Sequence, residues 1–543
     1  MPQQDITIIF AISFRVTLEH MHRNGLSQIF AILATGFLII FLVYPLFTIL
    51  SRSFESWQSV SYVLNNPYYL EKLKFSFYQA VLSTILTVAL ALPSAVYFAK
   101  YQFAGKRLIK TIFTIPFVMP TIVAAIGFLA LIGPNGITGV NLKDSFIIIL
   151  IAHIFYNYAL VLRIVSSYLE SLGNDIYKAA DILGASQFRK FWQISLPLAL
   201  PAIVAAATLT FIFCFTSFGV IVILAAKPEF ATLEVEIYRL GSSLLELEAA
   251  SVLALVQLIV ITLASIFYTR LQAKTALKHK QNRSLATKPN NINKIFLFFH
   301  FALAAIIILS PLIALTYKSF FNPSFSFDNF KYLLTAKKTI SFPGAFAAIK
   351  NSLLFAFLSS FLSLFIGFAF AYAVVRGKWR FLDAASLLPL ATSSVTLGFG
   401  YLIAFPSLRS SIWGLVLAHT VIAFPLVSRS ILPALRSLPD NLINSAKTLG
   451  KNNLEILWQI ELPLLIPSFI TAASFAFAIS MGEFGASLTI ISGKYATIPV
   501  AIFDRLGRPG AQNYGAALAL SFVLMLVTTI IMLGLEHFGD TEF

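Results

Sequence analysis

Six residues in the last quarter of the chain, Ser480-Met481-Gly482-Glu483-Phe484-Gly485, set a carboxylate into an otherwise apolar run. An acid at mid-bilayer costs about 2.5–3.5 kcal/mol on insertion scales, so it usually faces a cavity or a partner group. Facing a pathway, Glu483 would favour a cation; otherwise it makes a structural hydrogen bond to a neighbouring helix. Ser217-Phe218-Gly219 matches Glu483-Phe484-Gly485 at an offset of 266 positions, so one copy does without the charge. His153 and His419 are paired in the same way. Two histidines raise the idea of a metal, but no neighbouring acid or Cys in the sequence completes a ligand set, and hydrogen bonding between helices is the stronger reading. The chain has no Gly-x-x-x-x-Gly-Lys-Ser/Thr cradle for phosphates: Gly450-Lys451-Asn452 and Gly493-Lys494-Tyr495 lack both the leading glycine and the hydroxyl. It also lacks a His-Glu-x-x-His motif and a nucleophile elbow, so the candidate chemistry is passage rather than catalysis.

These residues recur because a larger unit does. Lys178-Ala179-Ala180-Asp181-Ile182-Leu183-Gly184 leads to Ile194-Ser195-Leu196-Pro197, and Asn444-Ser445-Ala446-Lys447-Thr448-Leu449-Gly450 leads to Ile460-Glu461-Leu462-Pro463. Trp192-Gln193 answers Trp458-Gln459, Arg163 answers Arg429, and Pro116 with Gly127 answers Pro389 with Gly400. With a one-residue gap, Ile237-Tyr238 answers Ile502-Phe503. Self-similarity over such a distance means one unit written twice. In each loop copy the spacing predicts a short helix, with Asn174 or Asp440 as N-cap and Gly184 or Gly450 at the left-handed C-terminal position. Ala180 and Gly184, like Ala446 and Gly450, are four apart and lay small residues on one face, where another chain segment can come close. A partly apolar loop written twice reads as a docking surface for two copies of another subunit; the alternative is a pair of helices lying on the bilayer.

Composition supplies the setting. The chain is 58% hydrophobic and 11% charged, with 53 Phe. That is more apolar sequence than a soluble core needs. A spanning helix takes about 20 apolar residues, and windows of that kind begin near 27–50, 75–98, 111–132, 145–165, 198–226 and 249–268. A second six follow near 295–317, 351–375, 381–405, 412–432, 462–492 and 515–535. The expectation is an all-α integral membrane protein of about 12 transmembrane helices in two parallel six-helix repeats. Its parts are an N-terminal extension over 1–26, a first half over 27–268, a basic linker over 269–294, a second half over 295–535 and a tail over 536–543. Met21 followed by His22-Arg23-Asn24 looks like an alternative start.

The net charge of +16 does not point to nucleic acid, because Lys and Arg gather in short loops: Lys100, Lys106, Arg107 and Lys110; Arg270 to Lys294; Arg376, Lys378 and Arg380. Retention of basic loops on the inner face makes that side cytoplasmic and places both termini there. The 318–350 loop, with Lys331, Lys337, Lys338 and Lys350, is an exception on the outer side. Cys214 sits within an apolar run and reads as a buried hydrophobe. Asp383 and Arg163 lie near span ends and read as snorkelling. Glu229, Glu234, Glu236, Glu246 and Glu248, against Lys227 and Arg239, make an acidic outer loop whose counterpart carries Asp504, Arg505 and Arg508; both read as exposed, with binding-protein contact one use for them.

Both loops resemble the EAA loop of permease subunits of binding-protein-dependent ABC importers, whose pattern is Glu-Ala-Ala, three residues, Gly, nine residues, Ile, one residue, Leu-Pro. The first copy has Lys178 for the Glu and keeps Ala179, Ala180 and Gly184; the second has Asn444 for the Glu and Ser445 for the first Ala, and keeps Ala446 and Gly450. A fused chain of two such units is similar to the thiamine and ferric-iron permeases, with the thiamine branch nearer. The resemblance implies a type I importer permease in the inner (cytoplasmic) membrane. It implies two ATP-binding cassette subunits, one at each loop, with ATP and Mg bound there and no cofactor in this chain, together with an external or periplasmic substrate-binding protein. It also makes Ser217, Phe218, Gly219, Glu483, Phe484 and Gly485 candidates for the translocation pathway. The rival is a secondary transporter of two six-helix halves driven by an ion gradient. That class favours ionisable residues deep in several spans, whereas only Glu483 clearly qualifies, and it gives no reason for twin loops.

Overall fold

The computed structural model describes residues 25–171, 175–276, 291–321, 324–339, 342–379, 382–383, 386, 388–409, 411–490 and 493–538. Most of the 269–294 linker and all of residues 1–24 therefore lie outside the described residues. Ten described helices are long and apolar enough to cross a membrane. In the first half these are α1 (Gly25–Ser53), α2 (Pro67–Lys100), α5 (Phe146–Ser171), α7 (Leu196–Phe215, preceded by a turn from Phe188) and α10 (Leu247–Ala276). The second half repeats them as α11 (Asn291–Phe320), α12 (Ala345–Arg376), α14 (Ile412–Ser437), α16 (Leu462–Gly482) and α19 (Ala511–Phe538).

The two remaining windows are broken, which hydropathy alone does not show. The third is α3 (Lys106–Val118) followed by α4 (Thr121–Ile132), bent by 94°. Pro116 removes a backbone donor inside α3, and Pro120 disfavours helical geometry at Met119, which is extended (ψ 136°). The ninth has a 3₁₀ turn at Leu388–Ala391, containing Pro389, and then α13 (Ser394–Ala404), whose N-cap Ser393 accepts from Thr396 N at 3.0 Å. The fifth and eleventh windows also end early. After α7 and α16 the chain breaks at Thr216–Phe218 and Glu483–Phe484, then resumes as α8 (Gly219–Leu224) and α17 (Gly485–Ile490).

Each half lends its first span to the other. Phe30 of α1 packs edge-on to Tyr372 of α12 at 5.2 Å, and Tyr401 of α13 donates to Phe41 O at 2.9 Å. In mirror fashion, Phe301 of α11 lies against Phe98 of α2 (5.2 Å) and Phe113 of α3 (5.7 Å). The central core mixes both halves, with Ile122, Phe215 and Phe218 beside Phe399, Phe484 and Ile498. Burying these faces against one another makes the halves one body rather than two bundles on a tether.

Two connections expected at the outer surface are instead packed into it. Helices α9 (Leu233–Tyr238) and α18 (Ile498–Leu506) begin where serines from the second and eighth spans accept their first free N–H groups: Ser76 Oγ from Leu233 N at 2.9 Å and Ser352 Oγ from Ile498 N at 2.8 Å. Three charges read as exposed are consequently buried. Glu234 takes a hydrogen bond from Gln257, Glu236 is bound by Arg239 and by Tyr68 Oη at 3.2 Å, and the Arg505 guanidinium lies 3.7 Å from the Phe342 ring centre. Asp383, half-buried near a span end, pairs with Arg436 at 2.8 Å and Arg429 at 3.9 Å.

Candidate functional site

Both broken helices meet at the centre of the molecule. Ser217, Phe218, Gly219, Glu483, Phe484 and Gly485 all line one cavity of about 330 Å³ between the halves. Met119, Pro120 and Thr121, at the bend of the third span, complete the wall with His153, Tyr156, Asn157 and Ser394. The matched glycines are needed for close approach. A Cβ on Gly219 would stand 2.7 Å from Thr121 Oγ1, and one on Gly485 would come within 3.0 Å of Val395 Cγ2 and closer still to Ser394 Oγ. Each Phe-Gly step therefore seats the tip of its own helix on the first turn of a helix from a broken span.

Glu483 ends α16, and its carboxylate accepts the backbone N–H of Ala486 at 3.0 Å, in the first turn of α17. A carboxylate there complements the helix N-terminus and satisfies a donor left free by the break. The structural hydrogen bond is therefore present, with one oxygen capping α17, and the side chain also lines the cavity. Ser217 occupies the matching break, where its own N–H bonds Cys214 O at 3.4 Å as Glu483 N bonds Ser480 O at 3.4 Å.

Four rings close one end of this cavity. Phe218 and Phe484 face each other with centroids 5.5 Å apart; Phe218 also meets Tyr238 (5.2 Å), and Phe484 meets Phe503 (5.4 Å). Tyr238 and Phe503 in turn line a second cavity of about 700 Å³, toward the end away from the repeated loops, with Arg409, Asp504 and Arg508. The row Tyr238–Phe218–Phe484–Phe503 stands between the two spaces. Its outer members were visible in the sequence only as a matched pair; nothing there marked them as part of the site.

His153 and His419 are tied across helices. Ser83 of α2 lies 2.9 Å from His153 Nδ1, while Ser480 and Ser487 hold His419 at 2.7 and 3.0 Å. Among the described residues no three His, Cys, Asp or Glu side chains gather as a metal site would require.

At the opposite end lie the repeated loops. Helices α6 (Asp175–Ile182) and α15 (Asp440–Thr448) each stop at a glycine with positive φ, +70° at Gly184 and +82° at Gly450. Ala185 N bonds Ala180 O at 3.0 Å and Lys451 N bonds Ala446 O at 3.1 Å, the same C-terminal closure in both copies. Of the expected N-caps, Asn174 lies outside the described residues, and Asp440 is the first helical residue rather than the cap. Ala180 and Ala446 are buried, Ala446 against Ile443 and Ile456 of its own loop, so part of the small-residue face is used internally. Lys178, Ala179, Gly184, Asn444, Ser445 and Gly450 remain exposed. Beside Gly450, the Asn452 N–H and the Lys451 ammonium hold the Glu455 carboxyl below its ordinary pKa, closing a capping box. Large apolar side chains are exposed on both loops: Ile182 (86% exposed), Leu183, Phe188 and Trp192 on the first, Leu449 (82%), Leu454 and Trp458 on the second. Patches like these mark interaction surfaces.

Residues 69–277 and 289–540 both match the family described as binding-protein-dependent transport system inner membrane component. The chain is 25% identical over 486 residues to the thiamine transport system permease protein ThiP of Brucella abortus, covering 85% of this chain and 86% of that one. It is 24% identical over the same length to ThiP of Brucella suis, with the same coverage. The molybdenum transport system permease protein ModB of Escherichia coli is 34% identical over 207 residues, covering 34% of this chain and 90% of that protein.

Proposed function

The chain belongs to the binding-protein-dependent transport system inner membrane components, and from that premise we propose that it carries thiamine, or a closely related aromatic cation, through the cavity at Glu483. It is a transport subunit of an ABC importer and not an enzyme; the ion-gradient reading is set aside. One observation carries the substrate assignment. The central cavity holds a carboxylate among the rings of Tyr156, Phe213, Phe218, Phe475 and Phe484, within the size range of small-molecule sites. Ring faces and a carboxylate suit a flat, positively charged heteroaromatic molecule such as thiamine, and thiamine is the solute named for the Brucella relatives.

In this reading two ATP-binding subunits, which hold ATP and Mg, seat on the exposed apolar faces of α6 and α15. The basic ends of the second and eighth spans support a cytoplasmic position for that side, in the inner membrane. A binding protein delivers the solute to the 700 Å³ space at the other end, over the Arg409 and Arg508 side chains. Closure of the motor subunits moves the two loops, the bundles rock, and the four-ring row parts. The test is ATP hydrolysis by the reconstituted complex with each loaded binding protein. Thiamine should stimulate it; stimulation by a different solute alone would contradict the assignment.

A further inference from the structure

The two matched histidines have different surroundings. His419 has both ring nitrogens bonded, Nδ1 to Ser480 Oγ at 2.7 Å and Nε2 to Ser487 Oγ at 3.0 Å. His153 has Nδ1 on Ser83 Oγ at 2.9 Å, but Ile221 stands where the second half has Ser487, and Nε2 is buried without a partner. A buried polar atom left unpaired costs stability unless something comes to bind it. One turn further along α5, Asn157 donates through Nδ2 to His153 O at 2.9 Å and to Cys214 Sγ at 3.5 Å. A backbone carbonyl only accepts, so this bond fixes which end of the amide is which. The other end, Oδ1, takes no hydrogen bond among the described residues. His153 and Asn157 both line the central cavity. The matching helix α14 brings only Leu426 to it among the described residues, with Ala423 at the place of Asn157. Tyr156 beside them is already committed, its Oη donating to Thr121 O at 2.8 Å. The cavity is therefore polar in two ways: the second half supplies the Glu483 carboxylate, and the first half supplies an uncharged pair.

We propose that His153 and Asn157 set the specificity of the pathway by reading the uncharged end of the solute. The solute class is a cation whose second ring carries an amino group beside a ring nitrogen. The amino group donates to Asn157 Oδ1, and the ring nitrogen accepts from His153 Nε2–H; Ser83 as donor to Nδ1 leaves the ring proton on Nε2. This rests on the reading that a thiamine-like cation passes the cavity, and it says how that cation is told from others. A carboxylate alone attracts any small organic cation. A site built to hydrogen-bond a particular group rejects the analogue that lacks it, because its own polar atoms are then left unpaired. The aminopyrimidine ring of thiamine carries both features, and a simple quaternary ammonium ion carries neither.

The test compares thiamine with oxythiamine, which keeps the cation and the shape but has an oxo acceptor in place of the amino donor. Displacement of labelled thiamine is measured on the nucleotide-free complex of this chain with its motor subunits, without binding protein, so that only the cavity selects. Thiamine should bind about ten-fold or more tightly than oxythiamine. Asn157→Ala, which places at this site the residue its repeat already carries, should weaken thiamine and bring the ratio near one. Asn157→Ser, which is too short to reach the solute but keeps a polar group, should do the same if the alanine variant fails to assemble. Glu483→Gln should weaken both probes alike and leave the ratio standing. Equal affinities in the unaltered protein, or a ratio that survives in an assembled Asn157 variant, would overturn the proposal while leaving the thiamine reading intact. Absence of thiamine binding in the unaltered protein would overturn the thiamine reading, and this inference with it.

Discussion

Replacing Phe484 by Ala should make the protein leak. The Phe484 ring touches Phe218 at 5.5 Å and Phe503 at 5.4 Å, and it stands between spaces of about 330 and 700 Å³. Aromatic pairs contribute about 0.5–1.5 kcal/mol each beyond their burial, so the two contacts hold the closed row by roughly 1–3 kcal/mol. Losing them shifts a closed–open equilibrium by about 5–150-fold, and the missing ring itself leaves a gap joining the two spaces. The assay is passive efflux of a small cation such as choline from proteoliposomes, without nucleotide or binding protein. Efflux should rise by at least about five-fold, the lower end of that range. Phe→Ala in a packed site also costs about 3–5 kcal/mol of stability, so assembly has to be checked by gel filtration. Phe484→Leu, which keeps most of the bulk, should assemble normally and leak less. Assembled Phe484→Ala vesicles as tight as the parent would refute the argument that these rings are the barrier.

Other outcomes follow from the same geometry. Glu483→Gln retains an oxygen to accept the Ala486 N–H, so assembly should persist while uptake of a cation falls about ten-fold or more, the loss of one favourable charge contact of about 1.4 kcal/mol; unchanged uptake would remove Glu483 from the pathway. Gly485→Ala forces a methyl into Ser394 and Val395 and should cost about 1–3 kcal/mol, with part of the loss recovered by Ser394→Ala in a thermal-shift measurement. Gly450→Ala, at φ +82° with no atom within 4 Å of the added methyl, suffers backbone strain of about 1–2 kcal/mol and no clash. Gly450→Asn should therefore hold more of the motor subunit in co-purification than Gly450→Ala.

The duplication was legible because sequence offsets survive where identity does not: Gly184 and Gly450, Phe218 and Phe484, and Tyr238 and Phe503 all come to equivalent places in the two halves. The broken spans were only half legible. Pro116 and Pro389 stood out as a pair, but a hydropathy window averages across a bend, and a helix that turns by 94° is as apolar as a straight one. Glu234, Glu236 and Arg505 misled because they lie between spans and carry charge, which usually means solvent. Their burial depends on α9 and α18 being drawn in by Ser76 and Ser352, two unremarkable serines more than a hundred residues away in the chain.

Native mass spectrometry of the detergent-purified complex tests the central claim most directly, because it counts how many motors this chain engages. Two ATP-binding subunits per copy are predicted, falling to one when Ile182 and Leu183 are both changed to Asp and again to one when Leu449 and Leu454 are. A complex holding a single motor subunit, or none, with both loops intact would contradict the account.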